Sequence, residues 1–283
     1  MHIAPLPRDQ WVERAQQHEA RADALTAAHR ERAARGEKHP VWDFLFTYYA
    51  YKPALLRRWH PGAGVILEHA PERSEWRWYS PAGSGDAVFP DAARFQAEKS
   101  QLAGLVERML RRTASRPGQF GCFGLHEWAM VYRADAHRHP APLRLGQDGT
   151  DAVVESNDLR CTHFDAFRFF TDDAVPRNRL PLTRESQPDL EQPGCLHAGM
   201  DLYRWAVKLG PMVPGELLLD TFELARDIRL LDMEAAPYDL SDWGVQPVRI
   251  ETAEGKAEYV RRQREFAERG TALRERLLQA WLG

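Results

Sequence analysis

Each of the three cysteines in this 283-residue chain stands a few positions before a histidine, and a carboxylate follows each histidine. The sets are Cys122, His126 and Glu127; Cys161, His163 and Asp165; and Cys195, His197 and Asp201. Imidazole beside carboxylate can do two kinds of chemistry. It can hold a divalent ion such as zinc or iron, or it can move protons as a metal-free acid–base pair. The first set sits in "GCFGLHEWAMVYR" (121–133), where a zinc-peptidase helix would read H-E-x-x-H. Met130 stands where the second histidine would be, so that motif is excluded. No C-x-x-C pair or zinc-finger spacing is present either. To act together, His126 and Glu127 must lie within about 12 Å of His163 or His197, because side chains do not share a ligand across a wider gap. The competing reading is structural. Free cysteine packs as a small hydrophobe, and His197, Asp201, Arg204 and Lys208 can form a solvated helix face.

The elements that must position these residues follow from periodicity. Residues 8–35 read as a helix, with Val12, Ala15, Ala22, Leu25 and Ala28 at helical spacing and Gly36 as its stop. Residues 39–53 read as a short, nearly buried helix between two prolines. Residues 64–80 suggest a hairpin and 81–90 a loop. Residues 91–115 form a helix that Asp91 can cap, with Phe95, Leu102, Leu105, Val106 and Leu110 as its stripe. In 121–133 a helix turns Leu125, Trp128, Ala129 and Tyr132 to the core and His126 and Glu127 to a polar cleft. Residues 141–146 and 159–170 read as strands, which would put Cys161, His163 and Asp165 on one face and Phe164 and Arg168 on the other. A Pro-rich loop (171–193) precedes three helices, 195–209, 214–235 and 252–282. With no repeat and no clear linker, the expectation is a single α+β domain, mainly helical with a small antiparallel sheet.

Composition bounds the rest. Hydrophobic residues make up 43% of the chain and charged residues 28%, enough for a core and a polar surface, and the net charge of −3 calls for no nucleic-acid partner. An odd cysteine count argues against a disulfide framework. The N-terminus lacks a signal-peptide pattern, and no run is long enough to span a membrane. These point to a cytoplasmic protein.

Three further clusters merit weighing. "EKHPVWDFLFTYYAYKP" embeds His39, Asp43, Tyr48, Tyr49 and Lys52 among Trp42, Phe44, Leu45 and Phe46. That is material for a pocket that stacks a planar ligand, or for a core helix with a polar rim; "RRWHPG" (57–62) and "EWRWY" (75–79) pose the same choice. Arg108, Arg111, Arg112 and Arg116, with Arg133 and Arg138, could contact phosphates or complement a helix dipole. In 225–244, Asp227, Asp232, Tyr238 and Asp239 lie on and just after an amphipathic helix, where Asp239 reads as turn chemistry.

Together, "KHPVWDFLFTYY", "RRWHPG", "GCFGLHEWAMVYR", "HPAPLRLG", "CTHFDAFRFFT", "EQPGCLHAGMDLYRWA", "LDMEAAPYDL" and "ETAEGKAEYV" resemble an actinobacterial family usually named 3-methyladenine DNA glycosylase. The resemblance covers nearly the whole chain. It implies removal of alkylated purines from duplex DNA by N-glycosidic hydrolysis, with the damaged base flipped into an aromatic pocket and a carboxylate activating water. Under that implication Glu127, Asp165 and Asp201 are candidate acids with His126, His163 and His197 beside them. Trp42, Asp43, Tyr48, Tyr49, Trp128 and Arg168 are candidates to bind substrate. The helix-hairpin-helix turn L-P-G-[IV]-G of one repair class is missing, and "LGPMVPGE" (209–216) does not fit it. The residues by themselves favour a different class, a histidine/carboxylate enzyme acting on a small molecule, with or without a zinc or iron ion. A non-catalytic binder of an aromatic ligand rests on aromatic density alone.

Overall fold

Long amphipathic stretches set most of this structure, and prolines set where it turns. A computed structural model describes residues 4–83, 85–135 and 141–282. Its elements, in order, are β1 (Ala4–Leu6), α1 (Arg8–Ala34), α2 (Phe44–Tyr48), α3 (Pro53–Leu56), β2 (Val65–Leu67), β3 (Tyr79–Pro81), β4 (Val88–Pro90) and α4 (Ala92–Ala114). There follow α5 (Leu125–Ala129), α6 (Gly146–Glu155), α7 (Phe164–Phe167), α8 (Gln187–Leu190), α9 (Leu196–Leu209), α10 (Gly215–Glu234) and α11 (Ala253–Leu282). The class is mainly helical α+β, as expected. The chain packs as two compact units, Met1–Leu110 with Leu202–Glu223 and Ala272–Gly283, and Arg111–Asp201 with Leu224–Thr271. Unit boundaries fall inside α4, α9, α10 and α11 rather than at linkers, so composition carries no mark of them. Among the described residues, no helix is long and apolar enough to cross a membrane.

The first unit holds the four-stranded sheet, in the order β1-β2-β4-β3. It is mixed rather than wholly antiparallel: Ala4–Leu6 pairs parallel with Val65–Leu67, and the other pairings are antiparallel. The expected hairpin over 64–80 does not form, because β4, from the segment read as loop, lies between β2 and β3. Pro5 and Pro81 sit on the two edge strands, where a missing N–H costs no ladder bond. Leu6, Trp11, Trp59, Leu67, Ala70, Tyr79 and Val88 form a buried cluster beneath the sheet. Buried Arg73 threads it, donating to the Trp59 carbonyl (2.7 Å) with its guanidinium 4.5 Å from the Trp76 ring and 4.9 Å from Trp11. Trp59 and Tyr79 of the tryptophan-rich segments are therefore core, with Trp76 packed half-buried against them.

The 39–53 segment contributes only the five-residue α2, preceded by turns. Asp43 fixes its start, accepting from the His39 amide (2.8 Å), meeting His29 Nδ1 at 2.8 Å and pairing with Arg32. Tyr48 stacks on Phe44 (4.9 Å) and accepts from Arg204 (3.0 Å), while Tyr49 meets the edge of Tyr203 at 5.3 Å.

The second unit departs most from expectation. The segment 121–133 is helical only over α5. Residues 141–146 form no strand, only a single bridge from Leu143 to Tyr238, and Leu159 bridges Asn178 in the same way. After Leu159 the chain stays extended to His163, then turns into α7. The strand reading of 159–170 fails there, and with it the shared face of Cys161, His163 and Asp165. The cause is Asn178, whose side chain replaces a neighbouring strand: Oδ1 accepts from the Cys161 amide (2.8 Å), and Nδ2 donates to the Cys161 and Leu180 carbonyls (3.1 and 2.7 Å).

Candidate active site

The site is built from the second unit alone. Two glycines let its loops close. Gly124 has φ +72°, a left-handed conformation, and a Cβ there would press on Ala235 and Tyr259 at 3.3 Å. A Cβ on Gly194 would stand 2.5 Å from the Gln119 carbonyl, so "EQPGC" can lie against residue 119 only with glycine. Between these loops, the three Cys–His–acid segments meet. The rings of His126 and His197 are 4.5 Å apart, edge to face, and His197 stacks on His163 at 5.2 Å. His197 therefore stands between the other two, and the distance condition set by the sequence is met.

One arrangement centres on His126. Its Nε2 lies 2.9 Å from Asp232 Oδ1, and its Nδ1 lies 3.6 Å from Cys122 Sγ. Asp232 is 0% exposed and takes a second cation on its other oxygen, Arg229 Nη1 at 3.0 Å. Arg229 also approaches Glu127 at 3.6 Å. Burial opposes charge on the imidazole, but the Asp232 carboxylate outweighs it and holds His126 well above its ordinary value. Burial would likewise raise Asp232; protonated His126 and then Arg229 hold it well below the usual carboxylate range. Glu127 is pushed up by burial and by neighbouring Asp232.

A second arrangement centres on His163. Its Nε2 lies 3.2 Å from Glu191 Oε1 and 3.3 Å from Asp201 Oδ2, and all three residues are buried. Among the described residues neither nitrogen of the ring has a hydrogen-bond partner, although His163 is only 1% exposed. Burial disfavours its charge, but Glu191 and then Asp201 raise it above the ordinary value. Gln187, one helical turn before Glu191, donates to Glu191 Oε1 at 2.5 Å, and Arg116 donates to the Glu191 carbonyl at 2.9 Å. His197 is held neutral by burial and by the charge of His126.

A cavity of about 280 Å³ opens onto the site. Cys122, His126, Cys161, Cys195 and His197 line it, with Phe120, Tyr259 and Arg160. Thr162 and Gln192 also line it, so His163 and Glu191 lie just behind its wall.

The structure thus brings together His126, Glu127, His163, His197 and Asp201. Asp201 is 2% exposed, which overturns the reading of a solvated helix face at that position. Asp165 is buried in the first turn of α7 and pairs with the half-exposed Arg168 at 3.3 Å, and its charge raises His163 after those of Glu191 and Asp201. Trp128 is 0% exposed and its indole donates to the Ala235 carbonyl (2.8 Å), so it is a core residue and not a stacking platform. Trp42, Asp43, Tyr48 and Tyr49 belong to the other unit and make their contacts there. Of the arginine run, Arg112 pairs with Asp189 and Arg133 with Glu155; Arg138 lies outside the described residues.

Glu191, Asp232, Arg229 and Gln187 were missed as site residues. Asp232 and Arg229 carried a faint signal, two opposite charges at i, i+3 inside the apolar run "IRLLDM". Compared with models of protein families, with curated proteins and with solved structures, the chain matches none.

Proposed function

We propose that this protein is a histidine/carboxylate enzyme that acts on a small molecule in the cavity of its second unit, with a divalent zinc or iron ion held by His163, Glu191 and Asp201. One observation carries this reading. A fully buried imidazole points Nε2 at two carboxylate oxygens, yet among the described residues it makes no hydrogen bond. Buried polar atoms are ordinarily bonded, and an ion held between them is one recognised reason for an exception. The spacing supports it: ligand atoms about 2.0–2.1 Å from a tetrahedral ion stand roughly 3.3 Å from one another, against 3.2 and 3.3 Å here. Three protein ligands leave a position for water or substrate, as in catalytic rather than structural sites. Such an ion would polarise a bound oxygen atom. The neutral His197 stacked on His163 then separates the ion from His126. All three cysteines are free thiols, which suits a reducing, cytoplasmic setting.

The test is elemental analysis of protein purified without chelator. About one equivalent of metal per chain is expected, lost in His163→Ala and kept in Cys122→Ser. Folded protein that takes up neither zinc nor iron(II) would sink the reading. The activity that the resemblance implies is measured beside it, as release of methylated bases from alkylated duplex DNA by wild type, Asp165→Asn and Glu127→Gln. Release that survives His163→Ala would favour the glycosylase over the small-molecule enzyme.

A further inference from the structure

We infer that Cys122 is a nucleophile, with His126 as its base and Asp232 as the group that orients the base, and that it forms an acyl-enzyme with small esters or thioesters bearing an anionic group. This goes beyond the metal reading and does not depend on it.

The geometry is that of an activated nucleophile: a thiol within reach of an imidazole whose far nitrogen is held by a carboxylate. Sγ is 3.6 Å from His126 Nδ1, a normal separation for sulfur, and His126 Nε2 is 2.9 Å from Asp232. Because Asp232 accepts from Nε2–H and favours the imidazolium, the Nδ1–H that faces the sulfur favours a thiolate there. Arg229 occupies the other oxygen of Asp232 at 3.0 Å, so the carboxylate cannot rotate away from the imidazole. Cys122 is half-buried and lines the cavity, so its sulfur is reachable. The residue after it, Phe123, has φ +50° and the next, Gly124, +72°. An aromatic residue in that region is strained, and such strain gathers where a side chain must be presented at a sharp turn. The other titratable groups that act on the sulfur or share its field are Cys161, Cys195 and Tyr259.

The substrate class follows from the walls. Arg160 stands over the loop, its Nη1 3.6 Å from where a Gly121 side chain would begin, and lines the cavity beside Cys122. Arg160 Nη2 donates to Asp158 at 2.8 Å, and a guanidinium so held keeps further N–H donors that suit a carboxylate or phosphate on the substrate. About 280 Å³ admits only a small acyl compound.

The step balances without a further reactant except water. With its proton already on His126 Nδ1, the Cys122 sulfur attacks the carbonyl carbon. The bond from that carbon to the leaving oxygen or sulfur breaks, and the leaving group departs with the proton from His126. Water then attacks the thioester and gives a proton to His126, the carbon–sulfur bond breaks, and the thiolate–imidazolium pair is restored.

The probes are iodoacetamide and 4-nitrophenyl acetate, applied to metal-free protein so that loss of metal and loss of the thiol are read separately. At pH 6, alkylation of Cys122 should outpace that of N-acetylcysteine on the order of tenfold or more, because a free thiol is almost wholly protonated there. One acetyl group should appear by mass on the Cys122 peptide, persist in Cys161→Ser and Cys195→Ser, and vanish in Cys122→Ser. His126→Gln should slow alkylation to the rate of the free thiol. Should that variant fail to fold, peptide mapping of the folded wild type decides alone. Acetyl on another residue or on none, or a Cys122 no faster than N-acetylcysteine, would overturn the proposal.

Discussion

His126 and His163 are matched in residue type and differ in closure. Each is a buried histidine near two carboxylates, and each is held above its ordinary pKa by them once burial is overcome. At His126 both ring nitrogens are answered, by sulfur on one and Asp232 on the other, and Arg229 takes the remaining Asp232 oxygen. Around His163 the carboxylates are near but neither ring nitrogen is hydrogen-bonded among the described residues. Both rings belong to groups whose donor atoms lie close enough to share a cation, His126 with His197 and Asp232, and His163 with Glu191 and Asp201. Of the two, only the His163 ring leaves both its nitrogens without a hydrogen bond among the described residues. Residue inventory alone would have treated the two alike.

The sharpest way to break this comparison is Asp232→Ala. Removing one member of a buried ion pair leaves the other charge uncompensated, here Arg229 as well as His126, and costs about 3–5 kcal/mol. Urea unfolding should show a loss in that range, and a loss under about 1 kcal/mol would mean that the network is not closed as described. The pH profile gives a second handle. Asp232 has a folded pKa below its reference value of 3.8, so its contribution is complete above that value and fades as pH falls through the lower, folded one. His126 has a folded pKa above 6.5, so its contribution is complete below 6.5 and fades as pH rises through the higher, folded one. The gap in stability between wild type and Asp232→Ala should therefore be widest from roughly pH 4 to 6.5 and narrow on both sides.

Metal is the next test. If only the His163 group binds, zinc at a hundred times its dissociation constant should stabilise wild type by about 2.7 kcal/mol. Thermal melts should show the same gain in Cys122→Ser and none in His163→Ala. A gain that depends on Cys122 and His126, and not on His163, would reverse the two assignments.

Much of this was legible in the sequence, for reasons that differ by scale. The long helices α1, α4, α9, α10 and α11 were read to within a residue or two, because their apolar stripes repeat over many turns. The short elements were not. "LRCTHFDAF" alternates like a strand, but its hydrogen-bond partner is the side chain of Asn178 and not a neighbouring strand, and no local pattern announces that. Likewise β4 is three residues long and owes its place to pairing on both sides. The convergence of His126, His163 and His197 was legible from a repeated Cys–His–acid order. Their true carboxylate partners were not: His126 takes Asp232 from α10, and His163 takes Glu191 from the end of α8 along with Asp201. The acid nearest His163 in sequence, Asp165, lies in the first turn of α7, where it pairs with Arg168 and acts on His163 only after Glu191 and Asp201.

Gln187 sharpens the comparison at the smallest scale. It lines no part of the cavity, and its amide donates to Glu191 Oε1 from one turn earlier on the same chain. Outer groups that hold a ligating carboxylate in place typically account for ten- to a hundredfold in metal affinity, or about 1.4–2.7 kcal/mol. Gln187→Ala should therefore weaken zinc binding by that factor in a competition titration and leave Cys122 alkylation at its wild-type rate. If both fall together, the two arrangements move as one unit through His197, and the division of labour between them fails. If neither changes, Glu191 is held well enough by the Arg116 contact to its carbonyl, and the amide only fills a buried space.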